Sequence, residues 1–235
     1  SVILITHEME VVREIADSLH EESVSATESL FQAKYRKPIL LAVMVASFNQ
    51  LAGINALIYY TTDIFRMAGA ERTSALLQSV IIGLTNLVFT MIAMTVIDRY
   101  GRKRLLLIGA AGLAVCLGAA AWAFATGAGG AIVLASLIGY IAFFAFSQGS
   151  VIWVYISEIF PNRVRARGQA LGSCTHLFWA AVVGWTFPVI AEASGAAAFG
   201  FFAAMMVLQF VLVLLFLPET KGVSLEQIQR TLGIE

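Results

Sequence analysis

The chain has 235 residues, of which 59% are hydrophobic and 13% charged, with a formal net charge of zero. A soluble globular domain carries about 25% charged residues, so this composition excludes an ordinary soluble enzyme. A mean hydropathy of +0.83 points instead to a lipid bilayer; the zero total charge by itself says nothing about nucleic-acid or acidic partners, and no nucleic-acid partner is expected.

Residues 1–37 are too charged for a cleavable signal peptide, and residues 8–32 read as a cytoplasmic helix or two. Pro38 then opens the first span, at the N1 position where proline is tolerated. From Ile39 to Thr62 runs a 24-residue stretch without Asp, Glu, Lys or Arg. Its length suits a bilayer core of about 30 Å at about 1.5 Å per residue. It nevertheless holds Asn49, Gln50 and Asn55, and lipid satisfies none of their donors and acceptors. These carboxamides are therefore expected to face a protein interior or a watery cavity. A group that both donates and accepts suits a polyhydroxylated, uncharged ligand.

Further charge-free runs cover Thr73–Ile97, the interval between Arg104 and Glu158, Gly168–Ala191 and Ala193–Pro218. With the first, they predict six membrane helices at about 39–62, 74–97, 105–126, 131–157, 168–190 and 197–217. The expected fold class is an all-α membrane protein with six transmembrane helices. Eleven Lys and Arg flank the start of span one, the 2–3 and 4–5 loops and the end of span six, against Arg66 and Arg72 in the other loops. This asymmetry predicts cytoplasmic termini. Cys116 and Cys174 lie in apolar spans and read as buried thiols, with no disulfide and no metal site. After span six, Pro218–Gly222 breaks the helix and Ser224 caps a short new one.

The spans divide into three plus three. Spans one and four, first in each trio, both carry a glycine beside polar residues: Gly53 between Gln50 and Asn55, and Gly149 between Gln148 and Ser150. Interrupted helices at matching places in two repeats mark transporter sites, while small residues also serve close helix packing.

Four motifs stand in register. They are Phe48-Asn49-Gln50-Leu51-Ala52-Gly53-Ile54-Asn55 with Tyr59-Tyr60; Asp98-Arg99-Tyr100-Gly101-Arg102-Lys103-Arg104; Ser157-Glu158-Ile159-Phe160-Pro161-Asn162-Arg163-Val164-Arg165; and Pro218-Glu219-Thr220-Lys221-Gly222. From about residue 14 to 230 the chain resembles the carboxy-terminal half of a sugar porter of the major facilitator superfamily. The resemblance implies half of a twelve-helix bundle: a linker segment over 1–37, a six-helix half-bundle over 38–218 and a cytoplasmic tail over 219–235. It implies transport of a neutral monosaccharide by alternating access in the plasma or inner membrane. The partners would be the sugar, the bilayer and an amino-terminal six-helix half, with no cofactor and no catalytic residues.

The resemblance also assigns roles. Asn49, Gln50, Asn55 and, in span two, Asn86 would contact sugar hydroxyls; Asn49 stands where the family usually has Gln. Trp153 would stack on the sugar ring, with Phe144 as a weaker aromatic contact. His176 falls where relatives carry Asn or Gln. Ser150 replaces a usual proline and Leu177 a usual tryptophan. Tyr59 and Tyr60 would form an extracellular gate. Asp98, Arg99, Arg102, Glu158 and Arg165 would form a cytoplasmic charge network. Structural readings stand beside these: interhelical bonds for the amides, packing for the aromatics, topogenic charge for the arginines.

Two rivals remain. One is a truncated, non-transporting membrane module of the same fold. The other rests on Ile3–Val12, around His7, which looks like the switch-histidine segment of an ABC-transporter ATPase. No glycine–lysine phosphate loop occurs in the sequence, so no nucleotide cradle accompanies it.

Overall fold

The computed structural model describes residues 28–67, 72–128 and 130–234. The ATPase-like stretch and most of the expected linker helix lie outside them. Ala33–Tyr35 form a 3-10 turn leading into α1, Arg36–Leu51. Pro38 is thus the third residue of α1, not its first. It still costs no bond, because first-turn N–H groups lack an intrahelical acceptor. The chain re-forms as α2, Ile54–Met67, then α3, Arg72–Tyr100, and α4, Arg102–Thr126. Span four is α5, Gly130–Phe146, followed by α6, Gln148–Ile159. Then come α7, Arg165–Ala193, α8, Gly195–Phe216, and a short tail helix, α9, Leu225–Leu232.

Among the described residues, six helical segments are long and apolar enough to cross a membrane. All six expected spans are present, several extended by a few residues. Spans one and four are each built from two helices, as the repeat reading requires. The tail helix begins as expected: the Ser224 side chain accepts from Gln227 N while Gln227 accepts from Ser224 N, a reciprocal capping box.

Two buried apolar clusters hold the bundle together. One joins Leu57, Leu113, Leu117, Leu137, Phe199 and Met206. The other, at the end bearing the 101 and 160–164 loops, joins Leu41, Leu105, Tyr155, Phe160, Leu217 and Ile228. The outer faces are apolar too: Leu84, Leu87, Met91 and Met94 on α3 and Phe178, Trp185 and Val189 on α7 are exposed. A surface like this is a liability in water and ordinary in lipid. Cys174, expected buried, is exposed on α7, and Cys116 is half-buried; both are free. The first breaks down because a bilayer-facing position reads as apolar without being inside the protein.

Candidate functional site

The site begins where α1 stops. Gly53 takes φ +88, a conformation open to glycine and strained for other residues. Its N–H bonds Gln50 O at 2.8 Å, tightening the last turn. Breaking a helix inside a membrane strands backbone carbonyls, and here Tyr140 on α5 donates its hydroxyl to Ala52 O at 3.0 Å. The reverse contact also exists: Asn49 Nδ2 donates to Gln148 O at 3.3 Å, where α6 begins. Each broken span thus lends a side chain to a carbonyl beside the other's break.

The second break lies at Ser147, φ −121 and ψ −83, two residues before Gly149. Gly149 sits inside α6, its Cβ position 3.4 Å from the Phe144 ring. A non-glycine residue can make this break because its φ stays negative.

On an unbroken helix, residues five apart would point about 140° apart. The Gly53 turn brings Gln50 and Asn55 together instead, with Asn55 Nδ2 donating to Gln50 Oε1 at 2.9 Å. Gln50 Nε2 donates to Asn49 Oδ1 at 3.4 Å and lies 2.9 and 3.1 Å from the two ring nitrogens of His176 on α7. His176 in turn packs on Trp153 of α6, with ring centroids 5.1 Å apart. One continuous cluster therefore joins Asn49, Gln50, Asn55, His176 and Trp153.

The cluster is layered. Asn49 and Gln50 are 2% and 1% exposed, whereas Trp153 is 38% exposed and Asn55 and His176 are half-buried. Trp153, Asn55 and His176 thus form the more open layer of the cluster, with Gln50 beneath them. Two residues expected here lie elsewhere. Asn86 lines a separate cavity of about 220 Å³ with Tyr59, Thr61 and Thr62. Phe144 is 7% exposed and packs on Tyr140 with centroids 6.1 Å apart.

The tyrosine pair divides. Tyr59 is exposed. Tyr60 donates to Gly184 O at 3.2 Å and packs on Phe187 with centroids 5.5 Å apart.

At the other end, Arg102 Nη2 contacts Asp98 at 3.1 Å and Glu158 at 2.8 Å. Glu158 also accepts from Thr220 Oγ1 at 2.6 Å. Glu219 Oε1 accepts three backbone N–H groups, from Arg102 at 2.8 Å, Thr220 at 3.0 Å and Lys221 at 3.1 Å. Of the five residues expected in the network, Asp98, Arg102 and Glu158 are directly paired. Arg99 takes part through its carbonyl, which accepts from Lys221 Nζ. Arg165 lines the same cavity of about 490 Å³, and its Nε is buried without a hydrogen-bond partner.

Sequence reading passed over Gln209 on α8. It and Gln148 are 1% and 0% exposed and bond reciprocally, at 2.5 Å and 3.0 Å. A lone glutamine in a charge-free apolar span was the available signal. Among the described residues no group of three or more His, Cys, Asp or Glu gathers as a metal site would require.

Comparison with known proteins gives a consistent result. The family model described as "Sugar (and other) transporter" matches residues 6–232, which takes in most of the ATPase-like stretch. The D-xylose-proton symporter of Escherichia coli K12 is 40% identical over 200 residues, covering 81% of this chain and 40% of that protein. The glucose facilitated diffusion protein of Zymomonas mobilis is 39% identical over 201 residues, covering 81% and 42%. Among solved structures, the inward-open xylose transporter of E. coli superposes with a TM-score of 0.78 at 34% identity, over 95% of this chain and 46% of that one. The chain spans rather less than half the length of these relatives.

Proposed function

The chain belongs to the sugar (and other) transporter family, and from that premise we propose that it forms the carboxy-terminal half of a carrier for a neutral monosaccharide. The observation that carries this reading is the layered amide cluster beside Trp153 at the two helix breaks. An aromatic face takes the C–H face of a sugar ring, and amides take its hydroxyls. No bond is made or broken; the work is selective binding followed by exchange of access.

Asn55, His176 and Trp153 make the direct contacts, and Gln50 both braces them and contacts the sugar when the half-bundle moves. Asn86 and Tyr59 line the path at the opposite end from the charge network. Tyr60, tied to α7, holds the gate segment α2 to the bundle. The Asp98–Arg102–Glu158 pairs form when that end is closed and break when it opens, so their free energy biases the two states. Residues 1–37 serve as the cytoplasmic linker, 38–218 as the half-bundle and 219–235 as the tail, with both termini cytoplasmic. The two relatives differ in coupling, one being a proton symporter and one a facilitated-diffusion protein.

The test is uptake into vesicles. The chain is produced alone, and again with the amino-terminal half of the E. coli D-xylose symporter. Alone it exposes Asn55 and Trp153 to lipid and gives no saturable uptake; with the partner half, D-xylose or D-glucose uptake saturates. Trp153→Ala and Gln50→Ala then weaken sugar affinity, the latter by about 0.5–1.5 kcal/mol for its lost bonds. Unchanged affinity in both variants would place the site elsewhere.

A further inference from the structure

We propose that Gln209, on the last span, is a positioning residue of the sugar site, acting through Gln148 and Asn49; this rests on the transport reading above. A reciprocal pair of glutamines, each nearly fully buried, is not required by a membrane bundle. An apolar pair of the same shape serves stability about as well. The pair stands where α6 starts, and this start has no side-chain cap: Ser147 contributes no capping bond. The Gln148 side chain is held by Gln209 Oε1 and Nε2, and lies 3.7 Å from Met206 Sδ. Both partners belong to α8, whose Phe202 also packs against the Gly53 break.

Two consequences follow from pinning Gln148. First, its carbonyl receives Asn49 Nδ2, and Asn49 Oδ1 receives Gln50 Nε2. Gln50 reaches Asn55 and His176. The hydrogen-bonded path from Gln209 therefore ends on the groups that face the solute. Second, Trp153 is five residues along the same helix, so the roll of α6 about its axis decides where the indole faces. Gln209 hydrogen-bonds to Gln148 rather than to a proposed sugar contact, yet the height of Asn49 and the roll of Trp153 both refer to it.

The experiment uses the chain with its amino-terminal partner half, and five variants: Gln209→Leu, Gln148→Leu, the double variant, Asn49→Ala, and Gln209→Leu combined with Asn49→Ala. Sugar KM and kcat are read in vesicles, and thermal unfolding without sugar in detergent. Gln209→Leu raises KM about tenfold with kcat within twofold. The double leucine variant recovers the thermal stability lost by either single change, but its KM stays raised. On the Asn49→Ala background, Gln209→Leu changes KM less than twofold. Recovery of KM together with stability in the double variant would reduce the pair to packing and overturn the proposal. So would an unchanged KM in Gln209→Leu, or effects of Gln209→Leu and Asn49→Ala that multiply independently. Absence of saturable uptake by the unmutated protein would sink the transport reading itself, a result distinguishable from these.

Discussion

Gly53→Ala tests the first helix break directly. Gly53 has φ +88, and an added Cβ would lie 2.7, 2.9 and 3.0 Å from three atoms of the Phe202 ring. The obstacle is not a flexible tip: Phe202 is 5% exposed and stacks on Phe187, with centroids 6.2 Å apart. The left-handed backbone costs an L-residue about 1–2 kcal/mol, and overpacking a filled core costs about 1–3 kcal/mol. Lowered entropy of the unfolded chain returns about 0.4–1 kcal/mol. The net loss is about 1–5 kcal/mol, or roughly 2–20 °C in Tm for a chain of this size. Gly200→Ala is the control. It lies within α8, where a Cβ would meet nothing within 4 Å beyond its chain neighbours and its own helix backbone, and helical alanine is favoured there by about 0.5–1 kcal/mol. Thermal unfolding followed by tryptophan fluorescence in detergent, with sugar binding on the same samples, provides the readout. Gly53→Ala should lose sugar affinity as well, because the turn is what brings Gln50 to Asn55. If Gly53→Ala unfolded within about 0.5 kcal/mol of Gly200→Ala, on the scale of ordinary surface changes, the reasoning from the positive φ and the Phe202 contact would be wrong.

Arg102→Ala removes both ion pairs and should cost about 2 kcal/mol, between the values for exposed and buried pairs, while changing transport turnover more than affinity. Arg99→Ala should stay within about 0.5 kcal/mol in the same unfolding assay, since only the Arg99 carbonyl is engaged; equal losses would contradict this division. Single cysteines at Met67 and Arg104, after replacement of Cys116 and Cys174, should label from opposite faces of sealed vesicles, and same-side labelling would refute the topology. Lys34, then Tyr35, hold the Glu28 carboxyl below its ordinary range through hydrogen bonds. A depressed pKa stabilises the docked segment above the unfolded value of about 4.3, and the effect fades as pH falls through the lower folded value. With Lys34 39% exposed, the contribution stays below about 1 kcal/mol. Anisotropy of a dye at Ser29 should therefore drop in acid, and Glu28→Gln should abolish the dependence.

The spans and the first break were legible because they are local. A run without charges must lie in lipid or in a core, and a glycine between two carboxamides marks a turn whichever neighbour packs against it. The meeting of Gln50 with Asn55 followed from that turn alone. Contacts between helices were less legible. Asn86 was placed with the carboxamides by family likeness, but the rotation of α3 carries it to the Tyr59 cavity. Phe144 lies close in sequence to Trp153, yet the Ser147 break lets α5 and α6 point their aromatics to different places. Gln209 and Gln148 are 61 positions apart, and no pattern along α8 names its partner. Glu219 belonged to a recognised motif, but its task depends on the Arg102 amide, which only the folded chain brings near.

That carboxylate bears on how the protein is made. Gly101, with φ +89, has no side chain to terminate α4, and Glu219, 117 positions downstream of Arg102, accepts the first amide of that helix. At a synthesis rate of about 5–20 residues per second, amino terminus first, span three waits roughly 6–23 seconds for its cap. During that interval the start of α4 must borrow partners from water or lipid headgroups at the membrane surface. Assembly of this bundle is therefore not a simple tally of inserted spans: a helix begun near the middle of the chain is completed by a residue synthesised after all six have been laid down.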